Sequence, residues 1–83
     1  MTDTDDRTTY TPIACARYSQ YEAAILHRLR LRLRWAEDNV VYDKTILPLD
    51  LQTEQHEEFL ICRDETGAQH RVRLDRIRKL EPA

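Results

Sequence analysis

The strongest pattern in the sequence is a strict alternation of apolar and basic residues early in the chain. In the stretch RLRLRLRW, Leu29, Leu31, Leu33 and Trp35 occupy every second position, with arginines between them. Since successive side chains of a strand point to opposite faces, this period of two predicts a strand with one buried and one solvated face. The first strand is therefore expected over residues 28–35.

A short helix is predicted immediately before this strand. Ser19 and Glu22 have the spacing of a capping box, in which the Ser19 hydroxyl accepts a hydrogen bond from the Glu22 N–H and the Glu22 carboxylate reaches back. Several good helix formers follow. The sequence predicts a helix from about Gln20 to His27, with little apolar area of its own.

The middle of the chain predicts two more strands. The polar residues 36–39 are short enough for a hairpin loop, and residues 40–47 continue as a second strand. Pro48 is expected to interrupt that strand, because proline has no N–H to donate to a sheet. The nearly continuous apolar run within residues 58–63 then predicts a central strand.

The last third of the chain predicts a turn and one or two final strands. Gly67, the only glycine, follows Asp64 in a segment typical of a turn, where it is expected to adopt a positive φ. Val72, Leu74, Ile77 and Leu80 supply apolar positions beyond it, and the alternation changes phase near Asp75. A kink is therefore expected there.

Together these elements predict a mainly β domain. One short N-terminal helix and about five strands fit a small, bent, Sm-like or OB-like barrel with the helix across one end. Residues 1–9 are polar and lack apolar periodicity, so they are predicted to be a disordered tail. The single folded domain is expected over residues 10–81.

Composition narrows the class of protein. The chain has 83 residues, 41% of them hydrophobic and 34% charged, which describes a foldable domain with a thin core and a charged surface. The N-terminus lacks the basic and apolar regions of a signal peptide, and no apolar run approaches the roughly 18 residues of a membrane span. We therefore expect a cytoplasmic protein, no membrane contact, and two reduced cysteines, Cys15 and Cys62.

The sequence offers little material for catalysis. His27, His56 and His70 have no metal-ligand spacing with one another or with the cysteines, and Gly67 alone makes no phosphate-binding loop. We expect no enzymatic activity, no metal and no cofactor.

The charges are unevenly distributed although the formal net charge is only −2. The charged residues within 37–58 are acidic except for Lys44, whereas the first strand carries a row of arginines: Arg28, Arg30, Arg32 and Arg34. This row is either the solvated face of an amphipathic strand or a stripe for the phosphates of single-stranded RNA, with Trp35 or Tyr42 stacking on a base. Both interpretations stay open at this point.

Several short motifs, in order, resemble the Rof family of Rho-binding antiterminators. They are the segment YTPIACARY at residues 10–18, Glu22, the leucine strand, Gly67 and the segment RLDRI at residues 73–77. The resemblance covers about residues 10–80 and implies an Sm-like barrel with an N-terminal helix. It also implies a bacterial protein that occupies the primary RNA-binding sites of the Rho hexamer and inhibits Rho-dependent termination.

In this family the helix and the loop before it contribute to the contact with Rho. Carried over to this sequence, the partner-binding residues are Cys15, Ala16, Arg17, Tyr18, Ser19, Gln20 and Glu22. Better-known members carry several acids in this segment, whereas here Glu22 is its only carboxylate. The expected protein is a monomer that binds Rho and makes no direct contact with nucleic acid, the RNA-binding arginine face being the alternative.

Overall fold

One helix and five antiparallel strands follow one another along the chain. The computed structural model describes residue 13 and residues 15–83, so the predicted tail, residues 1–9, lies outside the described residues. The elements are α1 Cys15–His27, β1 Leu31–Glu37, β2 Val40–Glu54, β3 Glu57–Asp64, β4 Gln69–Arg73, a 3-10 turn Leu74–Arg76, and β5 Ile77–Pro82.

The strands form one strongly bent sheet in the order β4-β3-β2-β1-β5. β4 and β5 lie at opposite edges, yet only the three-residue 3-10 turn joins them. Five flat strands would separate the edges by about 19 Å, whereas the link spans at most about 14 Å. The sheet must therefore curl, which confirms the predicted mainly β, bent architecture, although the sheet is not closed into a barrel.

The core lies on the concave side of this sheet, and the predicted alternation of β1 is confirmed. Leu31, Leu33 and Trp35 are buried, while Arg32 and Arg34 are exposed. The helix adds Tyr21 and Ala24 to the same cluster. Because a domain of this size has a thin core, these two helical residues are a substantial part of it.

The predicted start of the helix is wrong. α1 begins at Cys15, so Ser19 lies inside it and is exposed rather than capping it. The longer helix places Tyr18, Tyr21 and Ile25 at spacings of three and four, where all three contact the core. Packing therefore overrides the local capping signal.

The predicted start of the first strand is also wrong, because residues 28–30 end the helix instead. The Leu29 N–H donates to the Ala24 carbonyl at 2.9 Å and the Arg28 N–H to the Ile25 carbonyl at 3.3 Å. This is a Schellman motif, and Arg28 occupies its left-handed position with φ 55°. Arg28 and Arg30 are thus off β1, and Leu29 is 53% exposed.

Two tight turns join β1 to β2 and β2 to β3. Both central residues of each have positive φ: Asp38 (52°) and Asn39 (64°) in one, Gln55 (51°) and His56 (67°) in the other. The hairpin loop predicted over residues 36–39 is therefore only two residues long. Such turns match the twist of the strands that they join.

Pro48 does not end a strand, contrary to the prediction. β2 continues from Val40 to Glu54, and its register with β3 shifts between Pro48 and Asp50. A bulge removes the demand for a ladder hydrogen bond, which lets proline sit inside a strand. The predicted third strand is confirmed within a residue at each end, although it lies second from the sheet edge.

The turn from β3 to β4 is organised by Asp64. Its Oδ1 accepts hydrogen bonds from the Thr66 N–H (2.9 Å), the Thr66 hydroxyl (2.6 Å) and the Ala68 N–H (3.1 Å). Its Oδ2 lies 2.8 Å from His70 Nε2. These contacts, the His70 contact first, hold the pKa of Asp64 well below its usual range. Gly67 has φ 92°, as the sequence predicts.

Candidate protein-interaction site

The first two turns of α1 carry all of the predicted partner-binding residues. Five of them are exposed and two, Arg17 and Tyr18, are half-buried. The exposed ones are Cys15, Ala16, Ser19, Gln20 and Glu22. Because Tyr21 and Ala24 fix one side of the helix against the core, the opposite side is left to solvent.

Tyr18 links this face to the sheet. Its pKa is raised, first by burial and then by the negative charges of Glu58 and Glu22. The phenol is protonated at neutral pH, as in any tyrosine, and its O–H can donate a hydrogen bond. Glu58 comes from β3, so the fold brings a carboxylate of the sheet near enough to the half-buried Tyr18 to act on its pKa.

Glu58 is the residue of this face that the sequence reasoning missed. It lies far from the helix along the chain, and nothing in its local sequence distinguishes it from the neighbouring acids. Glu54 and Glu57 in the same hairpin interact with arginines of β4: Glu54 with Arg71, and Glu57 with Arg73 at 3.4 Å. Glu22 is the exposed carboxylate of the α1 face, and Glu58 adds negative charge near Tyr18.

Arg17 adds little positive charge to the outer side of the helix. Burial raises the pKa of Tyr21, and the nearby Arg17 guanidinium lowers it in part. Arg17 is half-buried and, at a spacing of four, lies on the same side of the helix as the buried Tyr21. The outer side of α1 is left with one charged side chain between Cys15 and Ala24, that of Glu22.

Cys15 and Cys62 are both free. Cys15 is exposed on the α1 face, whereas Cys62 is fully buried. Burial, with a smaller effect of Asp64, raises the pKa of Cys62 to about 12. Cys62 is therefore a core residue, and only Cys15 offers its thiol to a partner.

The arginine row does not form one continuous stripe. Asp43 of β2 lies between the two arginines that remain on β1: its carboxylate is 2.9 Å from Arg32 Nε and 3.3 Å from Arg34 Nη2. Trp35 is buried, and its ring stacks on Tyr42 at 5.1 Å between centroids. This geometry favours the interpretation as a solvated strand face, because two cations are paired and Trp35 has no free surface for a base.

The described residues, 13 and 15–83, contain no group of three histidine, cysteine or acidic side chains that could hold a metal ion. Within the same residues, no helix has the length and apolar character needed to cross a membrane.

Comparison with known proteins identifies the family. A search of curated protein sequences finds no match. One solved structure, the proteasome accessory factor B/C (PafBC) of Arthrobacter aurescens, superimposes with a TM-score of 0.73 at 22% identity. The match covers 90% of this chain but 12% of that protein, so it shows a shared fold and nothing about activity.

The family profile described as "Modulator of Rho-dependent transcription termination (ROF)" matches residues 12–83, which include the helix and all five strands. It therefore spans the α1 face and the strand that supplies Glu58. The chain belongs to the ROF family.

Proposed function

We propose that this protein binds the termination factor Rho at its primary RNA-binding sites and thereby blocks RNA loading. The observation that carries the proposal is membership of a family of modulators of Rho-dependent termination, over residues 12–83. In this proposal the protein acts as a cytoplasmic monomer, and it inhibits by competition rather than by catalysis.

The geometry of the α1 face suits such a role. A surface that binds RNA is basic, and a protein that covers it needs a complementary acidic face. Glu22 supplies an exposed carboxylate, and Tyr18 adds a hydrogen-bond donor and apolar area through its O–H and its half-buried ring. A rigid helix packed through Tyr21 presents these groups with little loss of conformational freedom.

A competition titration tests the proposal. The purified protein is added to Rho that carries a fluorescent cytidine-rich single-stranded RNA, and anisotropy is followed. We expect saturable displacement of the RNA, together with no binding of the same RNA by the protein alone. RNA that stays on Rho at saturating protein would refute the mechanism.

A double variant tests the surface. Tyr18→Phe with Glu22→Gln removes the hydroxyl and the charge but preserves the shape of the helix, so we expect roughly three- to tenfold weaker competition, with a shallower dependence on salt. Glu37→Gln is the matched control, because Glu37 is an exposed carboxylate at the end of β1. Equal affinity of the double variant and the wild type would remove α1 from the interface.

A further inference from the structure

An apolar groove lies between α1 and β5, beside the proposed Rho-binding face. It has a volume of about 400 Å³ and an apolar lining. Ala23 and Ala24 form its helical wall, Leu80 and Pro82 form its strand wall, and the connector at Leu29 lies between them. The groove is open because the helix contributes alanines here, where longer side chains would fill the space.

The rim of this groove exposes apolar surface on an otherwise charged protein. Leu29, which lines the groove, is 53% exposed. An isolated exposed leucine is ordinary, but Leu29 borders an apolar groove and so extends its apolar surface, as is found at interaction sites. Leu29 does not belong to the buried cluster, so most of its apolar surface is open to a partner.

The groove is continuous with the α1 face through Gln20, which belongs to both. Ala16, Ser19, Gln20 and Ala23 follow one another along the solvent side of the helix at spacings of three and four. A partner seated on the first two turns of α1 therefore extends over Ala23 into the groove. Arg30 and Glu81 stand at its margin, so the apolar centre has a polar rim.

We infer that the protein bound by the α1 face inserts an aliphatic or aromatic side chain into this groove. The inference rests on the proposed function and names the apolar half of the same interface. The acidic groups beside Tyr18 favour a basic partner surface. The groove supplies a pocket in which an apolar side chain can be buried away from water, and side chains buried in this way carry most of the binding free energy of an interface. An exposed apolar side chain next to basic residues is the chemistry that the partner must offer.

Two groove variants test the inference, one by filling the groove and the other by making its rim polar. Ala23→Gln lengthens an exposed helical side chain into the groove, and Leu29→Gln removes apolar surface from its rim. Val41→Gln is the matched control, because Val41 is 66% exposed but lies on β2, away from the groove. Circular dichroism and thermal midpoints establish that each variant is folded before its affinity for Rho is measured.

We expect both groove variants to bind Rho at least fivefold more weakly, and the control to bind like the wild type. Amide hydrogen exchange of the wild-type complex should show slower exchange over residues 23–31 and 79–83. If the wild type binds Rho but both groove variants match it, the groove inference is wrong while the proposed function stands. If the wild type itself does not bind Rho, the proposed function fails and the groove inference fails with it.

Discussion

The turn between β2 and β3 places two unfavourable residues in left-handed conformations. Gln55 has φ 51° and His56 has φ 67°, although Asn-Gly or Asp-Gly is the preferred pair in such a turn. This conformation costs each residue that has a Cβ about 1–2 kcal/mol of folding free energy, asparagine less and glycine nothing. We therefore predict that Gln55→Asn combined with His56→Gly stabilises the fold.

The magnitude follows from two opposing effects. Relief of the left-handed strain gains about 2 kcal/mol over the two positions. The added glycine makes the unfolded chain more flexible, which costs about 0.4–1 kcal/mol. The net gain of about 1 kcal/mol corresponds to an increase of about 4–8 °C in the thermal midpoint of a domain of this size.

Thermal unfolding followed by circular dichroism, with urea unfolding as a second measurement, checks this expectation. The β1–β2 turn provides the comparison, because Asp38 and Asn39 already tolerate positive φ. Asn39→Gly should therefore raise the midpoint less than the double change at residues 55 and 56. An unchanged or lowered midpoint for the double variant would refute the strain argument.

Three further predictions concern other parts of the fold. Because the fold lowers the pKa of Asp64 from 3.8, its contribution to stability is complete above that value and is lost as the pH falls below it. The urea midpoint of the wild type should therefore fall between pH 7 and pH 3 by more than that of Asp64→Asn; equal losses would contradict this. Cys15 should react with a maleimide in the native protein, whereas Cys62, buried and with a pKa raised to about 12, should react only after unfolding, as mass spectrometry can show. Arg28→Gly should raise the thermal midpoint by a few degrees, because Arg28 occupies the left-handed position of the helix end at φ 55°; a decrease would mean that the arginine side chain contributes more than the backbone strain costs.

The sequence predicts best those elements whose signal is local and periodic. The alternation around Leu31 and Leu33 requires only that one face of a strand be buried, and the structure confirms it. Gly67 and the kink near Asp75 are likewise confirmed, because positive φ and a change of phase are visible in the residues themselves.

The errors occur where packing decides between two local signals. Ser19 and Glu22 form a valid capping pattern, but the helix starts earlier because Tyr18 and Tyr21 both contact the core. The alternation in RLRLRLRW begins at Arg28, yet in the structure Arg28 ends the helix instead of starting the strand. For the candidate site, the α1 residues could be proposed from the sequence, whereas Glu58 could not, since only the folded sheet brings it to Tyr18.

The position of β1 has a consequence for how this fold is assembled. β1 pairs on one side with β2, through a two-residue turn, and on the other with β5, where Trp35 lies opposite Ile77. The first pairing is local and forms early, whereas the second closes a loop of more than 40 residues and carries a larger entropic cost. The three hairpins are therefore expected to form one after another along the chain. During synthesis the free edge of β1 stays unpaired until the last strand has been made. Until β5 is in place, that edge and the side of α1 that later faces β5 are open to any chaperone or neighbouring chain.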